Sequence, residues 1–226
     1  MTKVQIYTIQ SVEEALELAD LGVDHIGVTP ATRGLPGEIN METARSICES
    51  VKDSLVTVAL SVESDINLIF SMVKELKPQI LHLCSPEGYI TPESIRKLKE
   101  KLYENNIEIK IMQAISVKGF ESVENAISYV EEVDYLILDT QSKDVYGIGA
   151  SEDTHDWNVS KEIVKSVDIP VILAGGLSPE NVSDAIRHVK PWGVDSLTHT
   201  NKPLPDGGFV KDIEKVKSFV SASRQG

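Results

Sequence analysis

The chain has 226 residues, 41% of them apolar and 25% charged, with a formal net charge of −13. These values suit a folded protein with a sizeable buried core and exclude a disordered chain. A surface this negative sets nucleic acid and anionic membranes aside as partners, while a small anion can still bind where a local site overcomes the overall field.

Taken in chain order, short β-branched runs alternate with longer amphipathic stretches. Val4–Ile9 reads as a strand, and Val12–Leu21 as a helix opened by Ser11, with Val12, Ala15, Leu16, Leu18 and Ala19 on its inner face. Strands follow at His25–Val28, Leu55–Leu60, Ile80–Cys84 and Ile107–Ala114, then at Tyr135–Asp139, Val171–Ala174 and Gly193–Leu197. Helical spacing marks Ile66–Leu76, Ile95–Glu104 and Glu121–Val133 between them. Thr91-Pro92 and Ser178-Pro179 each place a hydroxyl at a helix cap and proline at the first helical position. The tail Ser221–Gly226 is expected to fray.

Eight strands in 226 residues give about 28 residues per strand-plus-helix unit. Alternation at this period predicts an α/β protein with right-handed parallel crossovers, and eight units predict closure into a single (β/α)8 TIM barrel over residues 1–226. An open doubly wound sheet usually carries a glycine-rich loop after its first strand, where this chain has Thr8-Ile9-Gln10-Ser11. Cys48 and Cys84 lack the spacing of a disulfide framework or zinc site, and neither a signal peptide nor a membrane-length apolar run is seen. A cytoplasmic location is the simplest expectation.

A β/α barrel carries its site at the C-terminal strand ends. In this chain those positions hold Tyr7 and Gln10, Thr29, Ser61, His82 and Cys84, Gln113, Asp139, Gly175 and Gly176, and Thr198 and His199. The strand Ile172-Leu173-Ala174 runs directly into Gly175-Gly176 and then a capped helix. Such a turn lets backbone N–H groups approach an anion, or it serves only as a tight connection. Asp139 ends an apolar strand, where desolvation would raise its pKa and suit a general acid or base, although a loop-capping aspartate is the plainer alternative. His82 and Cys84 share one face of their strand, either the barrel interior or the helix side. His25 and His188 look like packing or surface residues, and Thr154-His155-Asp156-Trp157 like a helix cap.

With these residues in view, the chain resembles the phosphoribosylanthranilate isomerase family, β/α-barrel enzymes of tryptophan biosynthesis. Ile172–Val182 is nearly the family's I-L-A-G-G-L-x-P-E-N-V, and Leu136-Ile137-Leu138-Asp139 is similar to its L-L-L-D. Gly149–Trp157 resembles G-G-T-G-x-x-F-D-W, Pro191–Asp195 resembles P-x-G-V-D, and Lys211-Asp212 resembles the closing K-D. The resemblance implies an Amadori rearrangement of a phosphorylated small-molecule substrate, with no metal or organic cofactor. By resemblance Asp139 is the general acid. Gly175, Gly176 and the strand-eight segment Thr198-His199 would hold the phosphate, and His82 and Arg33 would complete the substrate site.

Several positions depart from the family pattern. The family's catalytic cysteine in K-I-C-G-I-T falls on Tyr7, and the histidine of Q-L-H-G falls on Cys84. Counting back from the following helix puts Gly37 where the family carries an arginine, and Glu152 replaces the final glycine of G-G-T-G. Three repairs are conceivable: Cys84 acts as base across the mouth, Tyr7 is made acidic by a cation such as Arg33, or the reaction differs. A barrel acting on another phosphosugar is the alternative to the isomerase. A non-catalytic binding protein, or a metal epimerase using His82, Asp139 and His199, is a further reading.

Overall fold

The computed structural model describes residues 1–140, 146–148, 154–205 and 207–226. Eight strands and eight helices alternate: β1 (Lys3–Ile6), α1 (Val12–Asp20), β2 (His25–Val28), α2 (Met41–Val51), β3 (Val56–Ser61), α3 (Ile66–Leu76), β4 (Ile80–Leu83) and α4 (Pro92–Glu104). The second half continues with β5 (Lys110–Ser116), α5 (Glu121–Tyr129), β6 (Tyr135–Asp139), α6 (Trp157–Ser166), β7 (Val171–Leu173), α7 (Val182–Val189), β8 (Gly193–Ser196) and α8 (Ile213–Ser223). Every strand pairs parallel with the next, and β8 closes on β1 with Lys3 opposite Gly193 and Ile6 opposite Ser196. The expected TIM barrel is the fold observed.

Strand alternation divides the core into two layers. Val4, Ile26, Leu81, Leu136, Leu138, Leu173 and Val194 face the helices, while Val58, Ile80, Met112, Ala114, Ile137, Ile172 and Ala174 fill the barrel. At the barrel's lower end Trp192 stacks near Tyr135 and His25, with ring centroids 5.4 and 5.6 Å away. His25 is thus a packing residue inside the barrel, buried and held neutral, its pKa lowered to about 4 chiefly by desolvation.

Local chemistry explains the element starts. Ser11 accepts from Glu14 N, and Thr91 from Ser94 N with Pro92 opening α4. The signal at Ser178-Pro179 is used differently. Residues 179–181 form a turn, Asn181 Oδ1 accepts from Ser178 N, and α7 starts only at Val182. The C-terminal tail is anchored instead of frayed: Arg224 donates to Asp24 Oδ2 at 2.8 Å, to Gly22 O at 2.9 Å and to Thr2 O. An antiparallel hairpin, β9 (Asn201–Pro203) and β10 (Phe209–Lys211), follows a 3-10 turn at Thr198–Thr200 and lies outside the sequence expectation.

Strand five begins and ends later than expected, at Lys110 and Ser116. Gln113 is therefore not a strand-end residue. Alternation sets it between the interior residues Met112 and Ala114, on the helix-facing side, and its Nε2 donates to Ala114 O.

Candidate functional site at the C-terminal rim

Two neighbouring pockets open at the C-terminal rim, and Asp139, Asp195 and Leu197 line both. The first is the barrel mouth, walled by Tyr7, Thr29, His82 and Cys84 with an apolar collar from Leu35, Leu60, Val62 and Ile148. The second lies between the ends of β7 and β8 and is bounded by Gly175, Gly176, Thr198 and His199.

The β7–β8 pocket is built from backbone. Gly175 and Gly176 have φ of +79° and +63°, a conformation that side-chain-bearing residues rarely adopt. A Cβ on Gly175 would meet His155 Nδ1 at 2.9 Å and Thr140 Oγ1 at 3.1 Å. His155 spans from Thr140 Oγ1, 3.2 Å away, to Ser160 Oγ at 2.7 Å, and burial lowers its pKa to about 4. The neutral ring therefore joins the loop after β6, the loop after β7 and α6, a larger role than the cap expected of its segment. Ser196 Oγ donates to Leu177 O at 2.9 Å and fixes the β8 side to the β7 side. Beneath this wall sits Lys211, 5% exposed, donating to Asn201 Oδ1 at 2.6 Å and to Leu197 O at 3.4 Å. Desolvation lowers its pKa to about 7, against the pull of Glu14 and Asp195.

Asp139 closes β6 with Oδ1 accepting from Thr140 N at 2.7 Å. Desolvation raises its pKa to about 7, opposed by that one N–H bond. Asp195 lies inside β8, 6% exposed, with Oδ1 accepting from Gln5 Nε2 at 3.0 Å. Its pKa is raised to about 8, first by burial and then by Asp139. The apolar pattern runs β8 on to Leu197 and so points to Thr198 and His199, whereas the strand ends at Ser196 and Asp195 lies within it. The available signal was a carboxylate inside an apolar strand.

His82 and Cys84 both point into the interior. Tyr7 Oη and His82 Nδ1 are 2.7 Å apart, and their rings meet edge-on. Cys84 Sγ donates to Ile148 O at 2.7 Å. Burial pushes the Cys84 thiol up to about 12 and the Tyr7 phenol well above its usual value, with Asp195 and Cys84 adding to the latter. The idea that Arg33 makes Tyr7 acidic is thereby overturned: the phenol's shift is upward, and Arg33 forms a two-pronged ion pair with Glu63 at 2.8 and 2.9 Å. Arg33 lines a separate groove beside Met41, Leu68 and Met72. Its guanidinium lies 5.7 Å from the centroid of the Tyr146 ring.

Gly37 cannot host the family's arginine without repacking, since a Cβ there would lie 2.7 Å from Thr8 Cβ and 2.8 Å from Phe209 Cζ. Thr8 itself is buried with φ of +60°, which is strained for a β-branched residue. Gln10 Nε2 donates to Phe209 O and ties the β1 loop to the hairpin. Two buried polar atoms on the mouth lining, His82 Nε2 and Thr29 Oγ1, have no hydrogen-bond partner among the described residues. The Gly149–Asp153 part of the G-G-T-G-like segment, including Glu152, lies outside the described residues. Among the described residues no three His, Cys, Asp or Glu side chains are grouped to hold a metal, so His82, Asp139 and His199 do not form a ligand set.

The model of the N-(5'-phosphoribosyl)anthranilate isomerase family matches residues 4–222. The chain belongs to that family. It is 32% identical to the N-(5'-phosphoribosyl)anthranilate isomerase of Methanocella arvoryzae over 99% of each chain. It is 33% identical to N-(5'-phosphoribosyl)anthranilate isomerase 2 of Methanosarcina mazei, covering 98% of this chain and 94% of that one. Among solved structures, N-(5'-phosphoribosyl)anthranilate isomerase from Pyrococcus furiosus superposes with a TM-score of 0.76 at 26% identity, over the full length of both chains. Within the phosphoribosylanthranilate isomerase frame, this member carries Asp139 at the end of β6, Gly175 and Gly176 after β7 and a buried tyrosine, Tyr7, after β1.

That tyrosine depends on a neighbour. A Cβ on Gly27 would fall 2.3 Å from the Tyr7 ring. Gly27→Ala is expected to cost about 1–3 kcal/mol through overpacking, read as a lowered urea midpoint.

Proposed function

We propose that this chain is an aldose–ketose isomerase acting on N-(5'-phosphoribosyl)anthranilate, the Amadori step of tryptophan biosynthesis. The observation that carries this reading is the single rim on which a carboxyl group titrating near neutrality, Asp139, borders the glycine-built β7–β8 pocket. The substrate's phosphate is held by backbone N–H groups of Gly175 and Gly176 with Thr198 and His199, and Lys211 supplies positive charge from behind the wall. The apolar collar of the mouth takes the aryl ring. His82 is uncharged at neutral pH, its pKa lowered to about 3 by burial. With Tyr7 O–H donating to Nδ1, its Nε2–H, unpartnered among the described residues, is a donor available to the substrate on the mouth lining, and Thr29 Oγ1 offers a second polar contact.

Asp139 in its protonated form delivers a proton to the ring oxygen as the C1–O bond breaks and C1=N⁺ forms. Removal of the C2 proton places that electron pair between C1 and C2. The resulting enolamine passes the O2 proton to solvent and takes one at C1, so the proton count closes. The free buried thiols Cys48 and Cys84 fit a reducing cytoplasm, and no described helix is long and apolar enough to cross a membrane.

The test is turnover by purified protein of freshly generated substrate, followed as loss of anthranilate fluorescence. Well-folded protein that binds ribose 5-phosphate but consumes no substrate would reject the isomerase reading. Lys211→Met provides a separate check on the phosphate end. The dissociation constant for ribose 5-phosphate should rise about tenfold, roughly 1.4 kcal/mol. In the unsubstituted protein the same affinity should weaken as pH rises through about 7 and the ammonium loses its proton.

A further inference from the structure

Neither residue at the family's altered positions is suited to remove the C2 proton. Tyr7 and Cys84 are both buried, both engaged, and both remain protonated at neutral pH. Among the described residues, one other ionisable group lines both the mouth and the phosphate-side pocket together with Asp139. We infer that Asp195 is the general base of this enzyme, forming with Asp139 a carboxyl pair that flanks the substrate where the two pockets meet. The inference rests on the isomerase reading above.

The surroundings of Asp195 prepare it for this role. His25 Nδ1 lies 3.2 Å from Gln5 Oε1, and Gln5 Nε2 lies 3.0 Å from Asp195 Oδ1. A neutral His25 that donates to Oε1 forces the amide to present its N–H upward, so Asp195 receives a donor that favours its charged form. The chain His25–Gln5–Asp195 runs from the packed lower end of the barrel to its mouth. Among the described residues, the other ionisable groups acting on Asp195 are Asp139 from β6, Tyr7 just after β1, Cys84 just after β4 and Lys211 from β10. Asp139 and Asp195 repel each other when both are charged, so near neutrality the pair holds about one proton. The resting proton favours Asp195, whose pKa is the higher of the two, so the reactive form is the one in which Asp139 holds the proton for the ring oxygen and Asp195 is the carboxylate that accepts the C2 proton. After ring opening and enolamine formation the proton has moved from Asp139 to the substrate and from C2 to Asp195, leaving the pair's total unchanged.

The experiment compares the unsubstituted protein with Asp195→Asn, Asp195→Gly and Gln5→Leu as full-length chains. Asp195→Asn should lower kcat at least 100-fold while the dissociation constant for ribose 5-phosphate changes less than threefold or tightens. Formate added to Asp195→Gly should restore at least tenfold of the lost rate. Substrate deuterated at C2 should react several-fold more slowly than protiated substrate with Asp195→Asn. Gln5→Leu, which removes the donor to the carboxylate, should move the acidic limb of the pH–kcat profile to higher pH. Absence of turnover by the unsubstituted protein would overturn the isomerase reading and the base assignment together. Turnover by that protein with Asp195→Asn within tenfold of it, or a loss in Asp195→Gly that formate leaves unchanged, would overturn the base assignment alone.

Discussion

Asp139→Asn should fold as the unsubstituted barrel does and lose isomerisation by a factor of about 100 to 10,000, the usual worth of a positioned proton donor. An asparagine accepts the Thr140 N–H bond as the carboxylate does, so the rim keeps its shape while the transferable proton is lost. The pH dependence gives a second readout. Asp139 has its pKa raised from 3.8 to about 7. Its contribution to stability is therefore full below pH 3.8 and is lost as pH rises through about 7. The melting temperature of Asp139→Asn, measured against the unsubstituted protein, should become relatively higher over that window and level off beyond it. An unchanged rate at neutral pH would remove Asp139 from the chemistry.

Gly175→Ala should damage binding, stability and rate together. Alanine at φ of +79° carries a backbone penalty of about 1–2 kcal/mol. Its methyl would also press on His155 and Thr140, which the Ser160 and Asp139 bonds hold in place. That pressure reaches Asp139 through the Thr140 peptide. We expect a total loss of about 1–3 kcal/mol in denaturant titration. We also expect at least tenfold weaker binding of ribose 5-phosphate by calorimetry, and a lower kcat. Gly88→Ala is the matched control, with φ of +84° and nothing within 4 Å of the added methyl. It should show the backbone penalty with unchanged ligand affinity. Equal behaviour of the two variants would mean that the β7 turn is only a turn.

The barrel was legible because its cause is repetitive. Eight β-branched runs at even spacing leave little freedom in topology, and the glycine pair after Ala174 marks where backbone must come close to something. The facing of His82 and Cys84 was not legible, since two residues on one side of a strand could turn inward or outward. Only their register with Leu81 and Leu83, which pack on the helices, settles it. Gln113 was misplaced because Ile107 and Ile109 extend the apolar pattern ahead of the true strand start at Lys110. The β9–β10 hairpin was hidden by its brevity and by Pro203. Asp195 was visible as a residue but not as a site. Its depth, its bond to Gln5 and its nearness to Asp139 arise from β8 closing on β1, a pairing of residues 190 positions apart. The positive φ of Thr8 is not marked by the residue itself, since threonine is a poor occupant of that conformation, but by the motif K-I-C-G-I-T, whose glycine falls on Thr8.

Tyr7, Gly27 and His82 interlock, and this limits the routes by which such a barrel can change. Placing cysteine at position 7 alone would empty the volume of a phenol ring and leave His82 with no partner at either nitrogen among the described residues. Enlarging Gly27 first would collide with the ring still in place. A lineage that exchanges one arrangement for the other must therefore cross a less stable intermediate or alter several of these positions together, and a protein engineer faces the same order of steps.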